Sequence, residues 1–177
     1  MSSIVHTRNT YFETLSNLNK LVAHGRVGED NNVRNSYHRL NSEEELLAAC
    51  INWAHFPCVV HVGLAGRYTG HQNSLPKRKV INQLWFLQQA DPADMDAIAA
   101  AKDIAFEVME EFIAYIYADW KVSGPCGEFS NIDLGRFGFS EVVYNNNLFG
   151  WELTFEDEKF ATNIDTFDRG KWFGTGF

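Results

Sequence analysis

The sequence lacks the features that mark a secreted or membrane-spanning protein. No stretch approaches the roughly twenty consecutive apolar residues that a membrane helix needs, and the N-terminus MSSIVHTRN has no apolar core of a secretion signal. Its cysteines, Cys50, Cys58 and Cys126, are odd in number and far apart, which favours reduced thiols over a disulfide framework. We therefore expect a soluble protein, made in the cytoplasm, that does not contact a membrane.

Positive charge is also scarce. The chain has 15 Lys and Arg against 23 Asp and Glu, a formal net charge of −8. A surface of this sign repels the phosphate backbone, whose binding depends on Lys and Arg displacing counterions. Sequence-specific nucleic-acid binding is not expected.

Motifs for nucleophilic or nucleotide chemistry are missing as well. The sequence has neither a Gly-x-Ser-x-Gly elbow nor a Gly-x-x-x-x-Gly-Lys-Ser/Thr loop. The best metal candidate is the group His55, Cys58 and His61, but Pro57 interrupts it, Cys58 and His61 fall on opposite faces of a strand, and no fourth ligand lies nearby. Core packing for Cys58 and surface or edge roles for the histidines are the favoured interpretation.

Paired carboxylates are the remaining candidates for chemistry. Asp103, Glu107, Glu110 and Glu111 cluster opposite the apolar stripe of a predicted helix, which favours a solvated face over acid and base catalysis. We predict that the protein is not an enzyme, with no catalytic, cofactor-binding or metal-binding residues.

What the sequence does contain is a globular composition rich in aromatic residues. Apolar residues make up 45% of the 177 residues and charged residues 21%, and there are 14 Phe and 5 Trp. Such a length and composition favour one domain with one core, and part of the aromatic surface is available for a partner.

Three helices are predicted. A capping box at Thr10 and Glu13, with Gly25 as a C-cap, predicts a helix over 11–24. A second capping box at Ser42 predicts a short helix that stops at Phe56-Pro57, after a polar surface loop over 25–40. Asp91-Pro92 opens the longest helix, to about Trp120. Its apolar stripe is Ile98, Ala101, Ala105, Val108, Phe112 and Ile116.

Two strand pairs are predicted. The runs 58–68 and 80–88 are rich in β-branched and aromatic residues, and 135–144 and 148–156 form a hairpin across Asn145-Asn146-Asn147. The second hairpin strand alternates apolar and polar residues through Phe149, Trp151, Leu153 and Phe155. The predicted fold is α+β: an antiparallel four-stranded sheet covered by one long amphipathic helix, with one or two N-terminal helices and an irregular C-terminal arm. Residues 1–159 form the domain and 160–177 the arm.

Two segments are candidate contacts between copies of the chain. The first is the basic run Lys77, Arg78 and Lys79, predicted in the loop between the first two strands, where it is either simply solvated or meets an acidic patch on a neighbour. The second is the arm, which has no helical or strand period and either packs on its own domain or docks on an adjacent subunit. Its large aromatic residues are Phe160, Phe167, Trp172, Phe173 and Phe177.

The order of elements resembles the tail-terminator and tail-completion proteins of long-tailed phages, and more specifically those of Bacteroidetes prophages and phage-tail-like particles. The segments that carry the resemblance are YFETLSNLNKLVAH (11–24), FPCVVHVGLAGRY (56–68), DPADMDAI (91–98), NNNLFGWELTFE (145–156) and DTFDRGKW (165–172). The acidic helix face and the aromatic tail depart from that pattern.

The resemblance implies a homo-oligomeric ring, typically a hexamer, that caps the tail tube and meets tube, sheath or neck proteins. It also implies a protein without cofactor or catalysis, located in a virion or tail-like particle that assembles in the bacterial cytoplasm. Other interpretations stay open: a neck, connector or baseplate component, a small cytoplasmic binding or regulatory module, or an enzyme built on His55, His61 and the acidic helix.

Overall fold

In the part of the chain that the structure describes, two helices pack on one mixed sheet. The computed structural model describes residues 4–28, 31–40, 48, 54–69, 77–123, 129 and 132–160. Within them the elements are α1 (Ile4–Leu18), β1 (Tyr37–Arg39), β2 (Cys58–Thr69), β3 (Lys77–Gln89), α2 (Met95–Ser123), β4 (Ile132–Tyr144) and β5 (Leu148–Phe160). The strand order is β1-β2-β3-β5-β4. The predicted α+β class is confirmed.

The four-stranded antiparallel sheet was wrong, because a fifth strand, β1, pairs in parallel with β2. β1 lies inside the segment 25–40 that we predicted as a surface loop, yet its Tyr37 and His38 are buried. A strand of three residues is too short to show a period of two. The polar residues around β1 also favoured a loop prediction for this segment.

Helix α1 is shifted from its predicted position: it begins at Ile4 rather than at 11 and ends at Leu18 rather than at 24. Thr10 therefore lies inside the helix, and Glu13 pairs with Arg39 (3.0 Å) instead of closing a capping box. After the helix, Asn19 Oδ1 accepts the amides of Leu21 and Val22 and starts a turn. Of the second predicted helix, from Ser42 to Phe56-Pro57, the described residues are Ala48, which is helical, and 54–57, which are not; the rest lies outside the described residues.

Helix α2 also starts later than predicted. Asp94, not Asp91, is its N-cap, because Asp94 Oδ1 accepts the amides of Asp96 and Ala97 at 3.0 Å. Asp91 closes the preceding turn through the Ala93 amide. The predicted stripe is confirmed at Ala101, Ala105, Val108, Phe112 and Ile116, all buried, whereas Ile98 is half-buried.

The predicted hairpin is confirmed as β4 and β5, which pair from Tyr144 and Leu148 outwards. Asn145 (φ 52°) and Asn146 (φ 59°) make the turn in the left-handed region, which asparagine tolerates. β5 runs on to Phe160, which pairs with Lys77 of β3. Phe160 therefore belongs to the sheet rather than to the arm, and the rest of the predicted arm, 161–177, lies outside the described residues.

Each face of the sheet carries a hydrophobic cluster, and two helices share one of the faces. On this inner face α1 packs over β1 and β2, and α2 over β3 and β5. The main core forms there, with Phe12, Phe86, Phe112 and Phe155 among its residues. Cover by α2 alone was therefore wrong. On the outer face a smaller cluster gathers Cys58, Val60, Leu87 and Leu148.

Candidate interaction surfaces

Strand β4 forms one edge of the sheet. It is 13 residues long, and within the described part of the chain its pairing partner is β5. Most of its residues are exposed. An edge strand of this length presents a row of unpaired backbone N–H and C=O groups to an incoming strand.

Exposed apolar side chains accompany this edge. Leu134, Phe139 and Val143 are 44%, 57% and 57% exposed. The Phe139 ring meets the rings of Phe106 and Trp151 edge-on, at 5.8 and 5.9 Å between centroids, so it is fixed in place and still half open to solvent. We call β4 and these three side chains the β4 edge surface.

The β4 edge surface is poorly protected against pairing. Natural edge strands are blunted by charges, prolines and bulges. A register shift does interrupt β4 between Ile132 and Phe137, but the stretch 137–144 pairs regularly with β5. Its single charged residue, Glu141, forms an ion pair with Lys102 at 2.7 Å. The regular stretch therefore lacks the free charge that would repel another strand.

A second apolar surface lies between the helices. Leu15 and Phe112 form the floor of an open groove of about 470 Å³, and Leu18 and Tyr115 line it. Leu18 is 51% and Tyr115 47% exposed. At its rim Asn19 donates to Glu111 at 2.5 Å. We call this the helix groove.

The predicted loop position of Lys77, Arg78 and Lys79 was wrong, because they are the first residues of β3. Lys77 contacts Glu158 of β5 at 2.7 Å, and Lys79 lies 3.7 Å from Glu156 and 3.5 Å from Glu158. The hydrogen bond from Lys77 lowers the pKa of the Glu158 carboxyl. Much of the positive charge of this run is thus compensated within the subunit, and its contact with a neighbour stays a prediction.

The residues weighed for metal binding are separated. Cys58 belongs to the outer cluster, whereas His61 packs against Phe12 on the inner face with ring centroids 5.0 Å apart. His55 Nδ1 accepts the Asn35 amide. Among the described residues, no group of three or more His, Cys, Asp or Glu side chains is arranged to hold a metal ion.

The carboxylates of α2 lie as predicted. Asp103, Glu107, Glu110 and Glu111 are all exposed. This is the solvated helix face that the sequence indicated.

A buried polar layer beneath α1 was missed. Arg8 and Asp157 are 0% and 1% exposed and pair at 2.5 Å, with the Arg8 guanidinium 4.0 Å from the centre of the Phe129 ring. Beside them His61 Nδ1 lies 2.5 Å from Asn9 Oδ1. A signal was present: the alternation Phe149, Trp151, Leu153, Phe155 continues to Asp157 and predicts an inward carboxylate.

No protein-family model, curated protein or solved structure matches the chain. Neither described helix is both long and apolar enough to cross a bilayer.

Proposed function

We propose that this protein is a self-associating structural subunit whose β4 edge surface contacts a neighbouring copy. The observation that supports the proposal best is the combination of a long edge strand, exposed Phe139 and Val143, and the lack of free charge over 137–144. Burial of these exposed apolar side chains against the neighbouring copy supplies the affinity.

A closed ring needs two different, complementary patches on each subunit. The β4 edge surface is one candidate and the helix groove is the other, since they are built from different elements and both expose apolar side chains. In a ring the edge of one subunit faces the groove side of the next. In such a ring every β4 edge surface and every helix groove is covered by a neighbouring subunit.

The finer proposal is a tail terminator of a phage or phage-tail-like particle. Its support is the resemblance of the element order described above, together with the two surfaces that a ring requires. In this role the ring caps the tail tube and contacts tube, sheath or neck proteins. A neck, connector or baseplate subunit would use the same surfaces in another position of the particle.

Residues 161–177 enter the proposal as a second contributor to the interface through Phe167, Trp172, Phe173 and Phe177. Deleting them should reduce assembly and leave a folded domain, because α1, α2 and all five strands end by Phe160. Circular dichroism and light scattering report the two properties separately. An unfolded product would assign this segment to the domain itself.

The helix groove favours one alternative, a small binding module that receives an apolar ligand or peptide between α1 and α2. The oligomeric state separates the two functions. A binding module is a monomer at every concentration, whereas a ring subunit forms a defined larger species.

The main test is a charge placed on the edge. Phe139→Lys and Val143→Lys each add a cation to the β4 edge surface, and we expect at least about tenfold weaker self-association by light scattering, since each burial lost is worth roughly 1.5–3 kcal/mol. Val122→Lys is the matched control, because Val122 is 89% exposed but lies at the end of α2. Equal assembly of all three variants would contradict the role of the edge.

The particle role needs its own experiment. Electron microscopy of the purified oligomer should show rings with a central opening, and the rings should bind the ends of tail tubes that lack a terminator. Oligomers without an opening, or rings that ignore tube ends, would contradict a tail terminator without affecting the edge contact.

A further inference from the structure

The opposite edge of the sheet, β1, is held in place by histidines. His24 Nδ1 accepts the backbone amides of Ser36 and Tyr37 at 3.1 and 3.2 Å, and His55 Nδ1 accepts the amide of Asn35 at 3.1 Å. Three consecutive amides that lead into β1 therefore end on imidazole nitrogens.

An imidazole nitrogen accepts a hydrogen bond only while it carries no proton. Because two amides donate to His24 Nδ1, the neutral ring carries its proton on Nε2, which lies 4.0 Å from Glu13 Oε1. A proton added to Nδ1 of His24 would set an N–H group against two amide N–H groups. Both hydrogen bonds would be lost at once.

The environment of His24 on balance opposes its protonation. Burial lowers the pKa of His24, and Glu13 of α1 partly counteracts this. Glu13 is shared with Arg39 of β1, which it contacts at 3.0 Å.

The two buried histidines at this edge behave similarly. Burial lowers the pKa of His38 on β1 to about 4, with His24 adding to the shift and a hydrogen bond with the Asn35 backbone opposing it. Burial likewise lowers the pKa of His61 on β2 to about 4, with Arg39 and Arg8 adding to the shift and the Gly63 backbone opposing it. The edge is thus built around neutral imidazoles.

We propose that β1 is an acid-releasable edge strand: protonation of His24 breaks its hydrogen bonds with the Ser36 and Tyr37 amides and detaches residues 35–39 from β2 while β2 to β5 stay paired. Released, the strand uncovers the backbone edge of β2 at Val59–His61, to which Tyr37–Arg39 pair in parallel. β1 is suited to this because it has three residues, whereas β2, β3, β4 and β5 have 12 or 13. The inference does not depend on the proposed function.

The direction of the pH dependence follows from proton linkage. When β1 is released, His24 and His38 lose the burial that lowers their pKa and return towards the ordinary histidine value near 6.5, whereas in the closed edge they bind a proton only at lower pH. The closed edge is therefore fully stable above about pH 6.5 and loses stability as the pH falls from there towards 4. For each histidine that must take up a proton, the released fraction rises about tenfold per pH unit in that window.

The test is hydrogen exchange of single amides in the full chain between pH 7.5 and 5.0, corrected for intrinsic exchange rates. We expect the protection of Ser36 and Tyr37 to fall at least tenfold, while the β3 amides of Leu84 and Phe86 keep theirs. Unchanged protection at Ser36 and Tyr37 would overturn the proposal. So would a parallel loss in β3, which would indicate general acid unfolding.

A variant separates His24 from the other groups. His24→Gln keeps an acceptor oxygen but does not titrate, so the protection of Ser36 and Tyr37 should depend on pH less steeply, by about tenfold per pH unit. A wild-type slope in this variant would overturn the assignment, and the wild-type measurement alone decides the matter if the variant does not fold.

Discussion

The ion pair between Arg8 and Asp157 links the first helix to the last strand, and Asp157→Asn tests how strongly. The substitution keeps the size of the side chain and removes its charge, so the buried Arg8 guanidinium loses the carboxylate that it contacts. Both side chains are almost completely inaccessible and contact each other at 2.5 Å. Breaking a buried pair in this way costs about 3–5 kcal/mol.

That loss is large for a domain whose whole stability is roughly 5–15 kcal/mol. The contact of Arg8 with the Phe129 ring survives the substitution and keeps the loss from being greater. The measurement is urea unfolding followed by circular dichroism, extrapolated to zero denaturant. The same loss of stability should lower the midpoint temperature of thermal unfolding by about 10 °C.

Two controls define the result. Glu141→Gln breaks the pair with Lys102, whose side chains are 27% and 54% exposed, and should cost under about 1 kcal/mol. The double variant Arg8→Met, Asp157→Leu removes both charges and should recover most of the loss. A cost below about 1 kcal/mol for Asp157→Asn would refute the reasoning, since the pair would then be solvated or absent.

Two further substitutions test the sheet. Gly150→Ala should destabilise the domain by about 3 kcal/mol in the same unfolding assay, because a Cβ at this position would lie 1.8 Å from the Phe86 carbonyl oxygen and β3 and β5 would have to separate; a loss under about 1 kcal/mol would mean that the strands are not packed this closely. Asn146→Ala should cost about 1–2 kcal/mol because its φ is 59°, whereas Asn146→Gly should be nearly neutral; equal losses for the two would contradict the left-handed turn.

Patterns of sufficient length made the sheet and the long helix predictable. The stripe of α2 spans several turns and the alternation in β5 several residue pairs, so side-chain burial alone indicates each element. The hairpin of β4 and β5 could be predicted from its turn residues, Asn145-Asn146-Asn147. The α+β class follows from these elements.

Local signals misled where tertiary contacts competed with them. Glu13 fits a capping box with Thr10 in the sequence but forms an ion pair with Arg39, which is distant in sequence. The capping-box pattern therefore gave the wrong start for α1, which begins at Ile4. The run Lys77, Arg78 and Lys79 was assigned to a loop by its charge, whereas the matching Glu156 and Glu158 on β5 allow it to extend β3. Charge complementarity across strands is visible only once the register is known.

The candidate surfaces were the least predictable part. Phe139 and Val143 fall on the same face as the half-buried Phe137 in the sequence pattern, and their exposure results from the edge position of β4. The histidines at β1 gave no local sequence signal. The backbone amides that donate hydrogen bonds to them are at least 12 residues from His24 and 20 residues from His55 along the chain. Strand order decides both features.

Amide exchange over residues 137–144, compared between the concentrated oligomer and the dilute chain, tests the central proposal most directly. If β4 meets a neighbouring copy, amides along this stretch gain at least about tenfold protection in the oligomer, while the exposed end of α2 at Val122 is unchanged. Exchange along β4 that is identical in the two samples, or a chain that stays at 20.2 kDa at every concentration, would contradict it.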